Sequence, residues 1–149
     1  MIGDGEHRTR LEEYAKNLGV SQKTRFWGRI SNHLLPDFYA AADLFVAPSV
    51  EAQSGDTEGQ GVVFLEAFAT RLCVVTTRVG GISEVVQDGY TGVLVEPRNP
   101  QQLATTMEKL LGNERLRAEL AENAFAKVKK YYDWDKIAKD FEDFYRAVV

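Results

Sequence analysis

Short apolar runs alternate with helical periodicities along almost the whole chain, and that alternation leaves few folds open. Three short apolar runs, 44–47, 73–77 and 92–95, read as strands, the first ended by Pro48 and the last by Pro97. A fourth strand is predicted at 23–27, ending at Gly28, and Met1-Ile2 reads as the end of another, closed by the turn Gly3-Asp4-Gly5. Between them lie helical patterns. One at 7–18 puts Leu11, Tyr14, Ala15 and Leu18 on one face and stops at Gly19. A second covers 32–42, with Ser31 as its cap and Pro36 near its start, where a missing N–H does little harm. Further helices are predicted at 61–70 and from Gly80-Gly81 to Gln87, then at 100–111, 114–132 and 134–146.

Strands separated by helices pair in parallel with right-handed crossovers, so the class is α/β, a parallel sheet flanked by helices. At 149 residues the chain suits one domain, 1–149, with 114–149 as its helical tail. A doubly wound sheet of order 3-2-1-4-5-6 needs a central first strand, and only two residues stand where it belongs. The sheet is therefore expected to lack its first strand and helix. Either the chain starts inside a domain or another copy completes the sheet, and apolar surface left open there favours self-association.

A net charge of −4 argues against a nucleic-acid footprint. No apolar run approaches the roughly 18 residues that span a bilayer, and the segment MIGDGEHRTR carries no signal-peptide core. A single cysteine, Cys73, cannot form an internal disulfide, which points to a reducing, cytoplasmic setting. Lys127, Lys129 and Lys130 beside Tyr131-Tyr132 read first as a solvated helix face, with peripheral contact with an anionic inner membrane face as the alternative.

Chemistry concentrates in 48–92. In the helix from Gly61, the residues Val62, Val63, Phe64, Leu65, Ala67, Phe68 and Ala69 are apolar all round, the pattern of a fully buried helix, yet Glu66 sits among them. A buried carboxylate needs a partner or a polar ligand. Just before it, Glu58-Gly59-Gln60-Gly61 lets the backbone approach a ligand, and free N–H groups at the helix start favour an anion such as a diphosphate. One carboxylate at the mouth, one deeper and an anion site between them suit a nucleotide sugar. Gly80-Gly81 offers a second backbone-lined wall. Two readings of Glu66 stand here: a hook for sugar hydroxyls, or a structural carboxylate paired with Arg71 or Arg78.

These residues resemble the C-terminal, donor-binding domain of the GT-B retaining glycosyltransferases of family 4, the group 1 glycosyl transferases. The resemblance rests on an ordered set across 1–98. It comprises Gly3-Asp4-Gly5, Phe26-Trp27-Gly28, Tyr39-Ala40-Ala41-Ala42-Asp43, Ala47-Pro48-Ser49, and Glu58 with Glu66 in E-x7-E spacing. Val74-Val75, Gly80-Gly81 with Glu84, and Asp88-Gly89-Tyr90-Thr91-Gly92 complete it. The resemblance implies that Glu66 holds the donor's ribose hydroxyls and that Glu58 meets the transferred sugar or its developing charge. It gives the diphosphate or sugar to backbone N–H groups of Gly59, Gln60, Gly61 and Val62, and the base to Arg29, Ile30 and Asn32. It implies no metal and no cofactor; the ligand is a UDP- or GDP-sugar or similar. Three departures stand out. The Arg and Lys that the family uses on the leaving diphosphate, and the N-terminal acceptor domain, have no counterpart here. Thr70-Arg71-Leu72 replaces the usual glycine turn, which implies a looser turn.

The resemblance thus implies sugar transfer with retention, in polysaccharide, lipopolysaccharide or glycolipid synthesis, by a two-domain enzyme of which this chain alone is inactive. A non-catalytic module that binds a nucleotide sugar or a partner is the alternative. An epimerase is a third reading; an oxidoreductase fits poorly, since no G-x-G-x-x-G follows a strand.

Overall fold

A computed structural model describes residues 1–51 and 61–148. The chain divides into two compact units, Met1–Phe38 and Tyr39–Val149.

In the first unit, the Gly3-Asp4-Gly5 turn leads into α1 (Arg8–Asn17). Arg8 closes the turn by reaching back to Asp4 (3.2 Å) and forward to Glu12 (2.9 Å), which pushes its pKa up. Gly19, at φ +69, ends the helix in the left-handed conformation that glycine favours. The expected strands at Met1-Ile2 and 23–27 do not form. In their place the Trp27 N–H donates to the Met1 carbonyl (2.9 Å) and the Gly3 N–H to the Gly28 carbonyl (2.8 Å). With the Met1 amino group donating to the Arg25 carbonyl, three bonds align the segments without making a strand pair. Of the predicted α1 face only Ala15 is buried; Leu11, Tyr14 and Leu18 stay exposed.

The second predicted helix is shorter than its sequence pattern. α2 (Leu35–Ala40) starts after a turn in which the Leu34 N–H donates to the Ser31 carbonyl (2.9 Å). Ser31 does not cap it, because its hydroxyl is paired with the His33 ring at 2.8 Å.

The second unit holds a three-stranded parallel sheet, β1 (Phe45–Ala47), β2 (Val74–Thr77) and β3 (Val93–Val95), in the order β1-β2-β3. Valine and threonine favour the pleated surface, and β2, central and buried at every position, needs both of its faces covered. Residues of one parity, with Cys73, Val75 and Val95, join Leu110 and Leu120 in one core. On the opposite parity Phe45 stands edge-on to Phe64 at 5.9 Å. The helices after β1 and β2 are α3 (Val62–Ala69) and α4 (Ile82–Val85).

Beyond β3 come α5 (Pro100–Leu111), α6 (Glu114–Tyr131) and α7 (Trp134–Val148), close to the sequence reading. Asn99 and Asn113 cap α5 and α6 by accepting from the N–H groups of Gln102 and Leu116 (3.0 Å each). Arg117 on α6 donates to the last carbonyls of α5, Leu110 (2.7 Å) and Leu111 (2.8 Å). On α7, Trp134, Phe141 and Phe144 are exposed and no residue is buried, so its apolar stripe does not pack onto this core. No helix among the described residues is long and apolar enough to cross a membrane.

Candidate functional site

A helix that follows a parallel strand begins at that strand's C-terminal end. α3 and α4 therefore start on the one edge of the sheet where open α/β folds bind ligands. Buried threonine hydroxyls tie this edge together. Thr76 donates to the Ala47 carbonyl (2.8 Å) and Thr77 to the Ser49 carbonyl, satisfying polar groups that burial would otherwise strand.

α3 opens at Gly61, whose φ of +59 and ψ of +67 lie in the left-handed region. Any side chain there would be strained. Gly61 is buried, and its carbonyl accepts from the Phe64 N–H (2.9 Å). No side chain among the described residues caps this helix start. Its first-turn N–H groups and positive dipole end suit an anion.

The prediction of a helix buried on every side is corrected. Phe64, Ala67 and Phe68 are buried, while Val62, Val63 and Ala69 are exposed and Leu65 and Glu66 half-buried. An eight-residue helix lying on one side of a sheet covers a stripe and leaves the rest open, whatever its composition.

Glu66 has a definite partner, and it is not an arginine. The Tyr39 hydroxyl donates to Glu66 Oε2 at 2.8 Å. Tyr39 is buried, its ring edge-on to Phe45 at 5.5 Å. Burial, then the bond to Glu66, pushes the phenol's pKa well up, so it stays a proton donor. The arginines of the structural alternative are engaged elsewhere: Arg71 with Glu122 (2.8 Å), Arg78 with Asp88 (2.8 Å) and Glu96 (3.8 Å). Tyr39 stands in the motif set, but sequence reasoning gave it no role. A buried tyrosine needs a partner for its hydroxyl, but nothing in the chain says that the partner stands 27 positions on.

Glu58, Gly59 and Gln60 lie outside the described residues. Gly61, Val62 and Glu66 share the first turns of α3. Arg29, Ile30 and Asn32 belong to the first unit, Arg29 and Asn32 exposed and Ile30 half-buried, just after Gly28 at φ +68. Gly80, at φ +49, turns the chain from β2 into α4. The turn Asp88-Gly89-Tyr90-Thr91-Gly92 is structural. Asp88 accepts from the Leu94 N–H (3.0 Å), buried Thr91 accepts from the Gln87 N–H (2.8 Å), and Asn123 donates to the Tyr90 carbonyl (3.1 Å).

Lys127 has partners within the fold. It is half-buried, and its ammonium donates to the carbonyls of Glu84 (2.9 Å) and Val85 (2.8 Å) at the end of α4. Burial lowers its pKa. Lys129 and Lys130 are exposed.

The model of the family described as glycosyl transferases group 1 matches residues 1–127. This chain belongs to that family. Among curated relatives, the D-inositol 3-phosphate glycosyltransferase of Corynebacterium urealyticum is 36% identical over 147 residues, covering 98% of this chain and 33% of its own. Solved structures carry the same α/β fold. The C-terminal domain of a group 1 glycosyl transferase from Francisella tularensis superposes with a TM-score of 0.74 at 30% identity, over 87% of this chain and 64% of that one. An Anabaena protein crystallised with UDP and glucose superposes with a TM-score of 0.83 at 24% identity, over 98% of this chain and 39% of that one, a likeness of fold. The chain spans about a third of the length of the curated relatives it matches.

Proposed function

We propose that this chain is the donor-binding half of a retaining glycosyltransferase, which moves a sugar from a nucleotide diphosphate to an acceptor hydroxyl. The products would belong to polysaccharide, lipopolysaccharide or glycolipid synthesis. One observation carries the reading. Glu66 is half-buried one turn into a helix that opens at a left-handed glycine, and a neutral phenol holds it in place of a guanidinium. A carboxylate held by a single neutral donor retains most of its acceptor capacity for hydroxyl donors.

In this reading Glu66 accepts from the ribose hydroxyls. The N–H groups of Gly59, Gln60, Gly61 and Val62 meet the diphosphate or sugar, where preorganised dipoles stabilise charge on the leaving group. Glu58 meets the transferred sugar. Arg29, Ile30 and Asn32 frame the base on the strength of the resemblance alone. The acceptor comes from an N-terminal domain, so the 149 residues bind donor without turnover. The UDP and glucose of the Anabaena protein support a nucleotide-sugar donor.

Calorimetric titration with UDP- and GDP-sugars tests this. One series binds, and Glu66→Ala weakens it about tenfold or more, as expected for losing hydrogen bonds to a charged group. Unchanged affinity in Glu66→Ala removes the residue from the site. Turnover by the isolated chain contradicts the two-domain requirement.

A further inference from the structure

We infer that Tyr39 is a positioning residue: its phenol holds the Glu66 carboxylate in the orientation that receives the ribose diol, an inference resting on the reading of Glu66 above.

The phenol is itself a fixed point. Tyr39 is 9% exposed, and its ring stands edge-on to Phe45 on β1 (5.5 Å), which stands edge-on to buried Phe64 on α3 (5.9 Å). This aromatic row leaves the hydroxyl little freedom, and it lies 2.8 Å from Glu66 Oε2. A glutamate on a half-exposed helix face otherwise samples several rotamers, and fixing them costs free energy when a ligand binds. A vicinal diol donates two bonds to one carboxylate only when the carboxylate plane faces it. The phenol uses one of about four acceptor sites and sets that plane before the ligand arrives. A neutral donor does this without cancelling the charge that strengthens bonds to hydroxyls. Burial keeps the phenol protonated over the ordinary pH range.

A merely structural hydroxyl would affect all nucleotides alike; a positioning hydroxyl affects only those with a ribose diol. The chain, Tyr39→Phe, Glu66→Ala and the double variant are titrated by calorimetry with UDP, GDP and their 2′,3′-dideoxy counterparts. Thermal unfolding is followed alongside. Tyr39→Phe retains the ring and its edge contacts, so the fold is expected to persist. It should weaken ribonucleotide binding about five- to tenfold, leave dideoxynucleotide binding unchanged and add nothing in the Glu66→Ala background. Equal weakening of both nucleotide types, or of neither, overturns the positioning role. If Glu66→Ala weakens ribonucleotide binding while Tyr39→Phe does not, the ribose reading stands and Tyr39 alone is removed. If Glu66→Ala changes nothing, or the unaltered chain binds neither ribonucleotide, the ribose reading fails and takes this inference with it.

Discussion

Arg71 and Glu122 form a 2.8 Å ion pair that ties the end of α3 to α6. Arg71 ends the α3 turn at φ +55, a left-handed conformation unfavourable for a residue with a Cβ. The turn is as tight as a glycine would make it, contrary to the looser turn expected from Thr70-Arg71-Leu72. Its guanidinium also lies over the Phe125 ring at 3.5 Å, so one side chain fastens this turn to α6. Arg71→Ala keeps the strain and loses both contacts, and should destabilise by about 1–2 kcal/mol. Arg71→Gly relieves the strain and should be about 1 kcal/mol more stable than Arg71→Ala. Urea unfolding of the two variants reads the difference; alanine equal to glycine would rule the left-handed turn out.

Lys127 fastens the other end of the site's scaffold. Its two bonds to the Glu84 and Val85 carbonyls hold α6 against the end of α4. Lys127→Met keeps the apolar stem and removes both bonds, leaving the part-buried Val85 carbonyl without this donor, at a cost of about 1–3 kcal/mol. Lys129→Met, on an exposed side chain, should stay within about 0.5 kcal/mol of the parent. Equal unfolding midpoints for the two would contradict the strut.

Gly92 marks where the turn before β3 runs against β2. A Cβ there would lie 2.9 Å from the Val74 carbonyl oxygen and 2.9 Å from Val86 Cγ1. The first neighbour is backbone of the central strand and cannot step aside cheaply. Gly92→Ala should cost about 2 kcal/mol or more by overpacking. Gly89→Ala meets no atom within 4 Å but carries φ +70, so it should cost only about 1 kcal/mol. Thermal unfolding orders the two; the reverse order would contradict the close approach.

Cys73 gives the fold a signature at alkaline pH. Burial pushes its thiol from 9.0 up to about 11. The native state therefore holds this proton more tightly than the unfolded chain. The contribution, of order 2 kcal/mol, is complete below pH 9 and is lost as pH rises through about 11. Tyr39 adds loss in the same direction at higher pH. Urea midpoints should fall between pH 8.5 and 10.5 in the parent and fall less in Cys73→Ala. Equal slopes would mean that the thiol titrates normally in the folded state.

The elements of the second unit were legible because period and punctuation agree. The Val-Val-Thr-Thr run, Pro48 and Pro97 after strands, and Asn and Pro at the start of α5 each act locally. The first unit was less legible. The runs at Met1-Ile2 and 23–27 have strand composition, but a ladder depends on a register that no local signal sets. Glu66 was legible as a carboxylate in need of a partner, while its partner was not. Tyr39–Glu66, Arg71–Glu122 and Lys127–Val85 join residues 27, 51 and 42 positions apart, and only the packed chain brings such pairs together. The apolar surround of Glu66 was read as complete burial because composition carries no information about which face of α3 the sheet covers.

The most direct measurement is the crystal structure of this chain with the nucleotide it binds, read at the Glu66 carboxylate. The account predicts a ribose hydroxyl within about 3.2 Å of that carboxylate, with the Tyr39 hydroxyl still on Oε2 and the phosphates against the start of α3. A nucleotide seated elsewhere, with Glu66 touching no ribose, would contradict it.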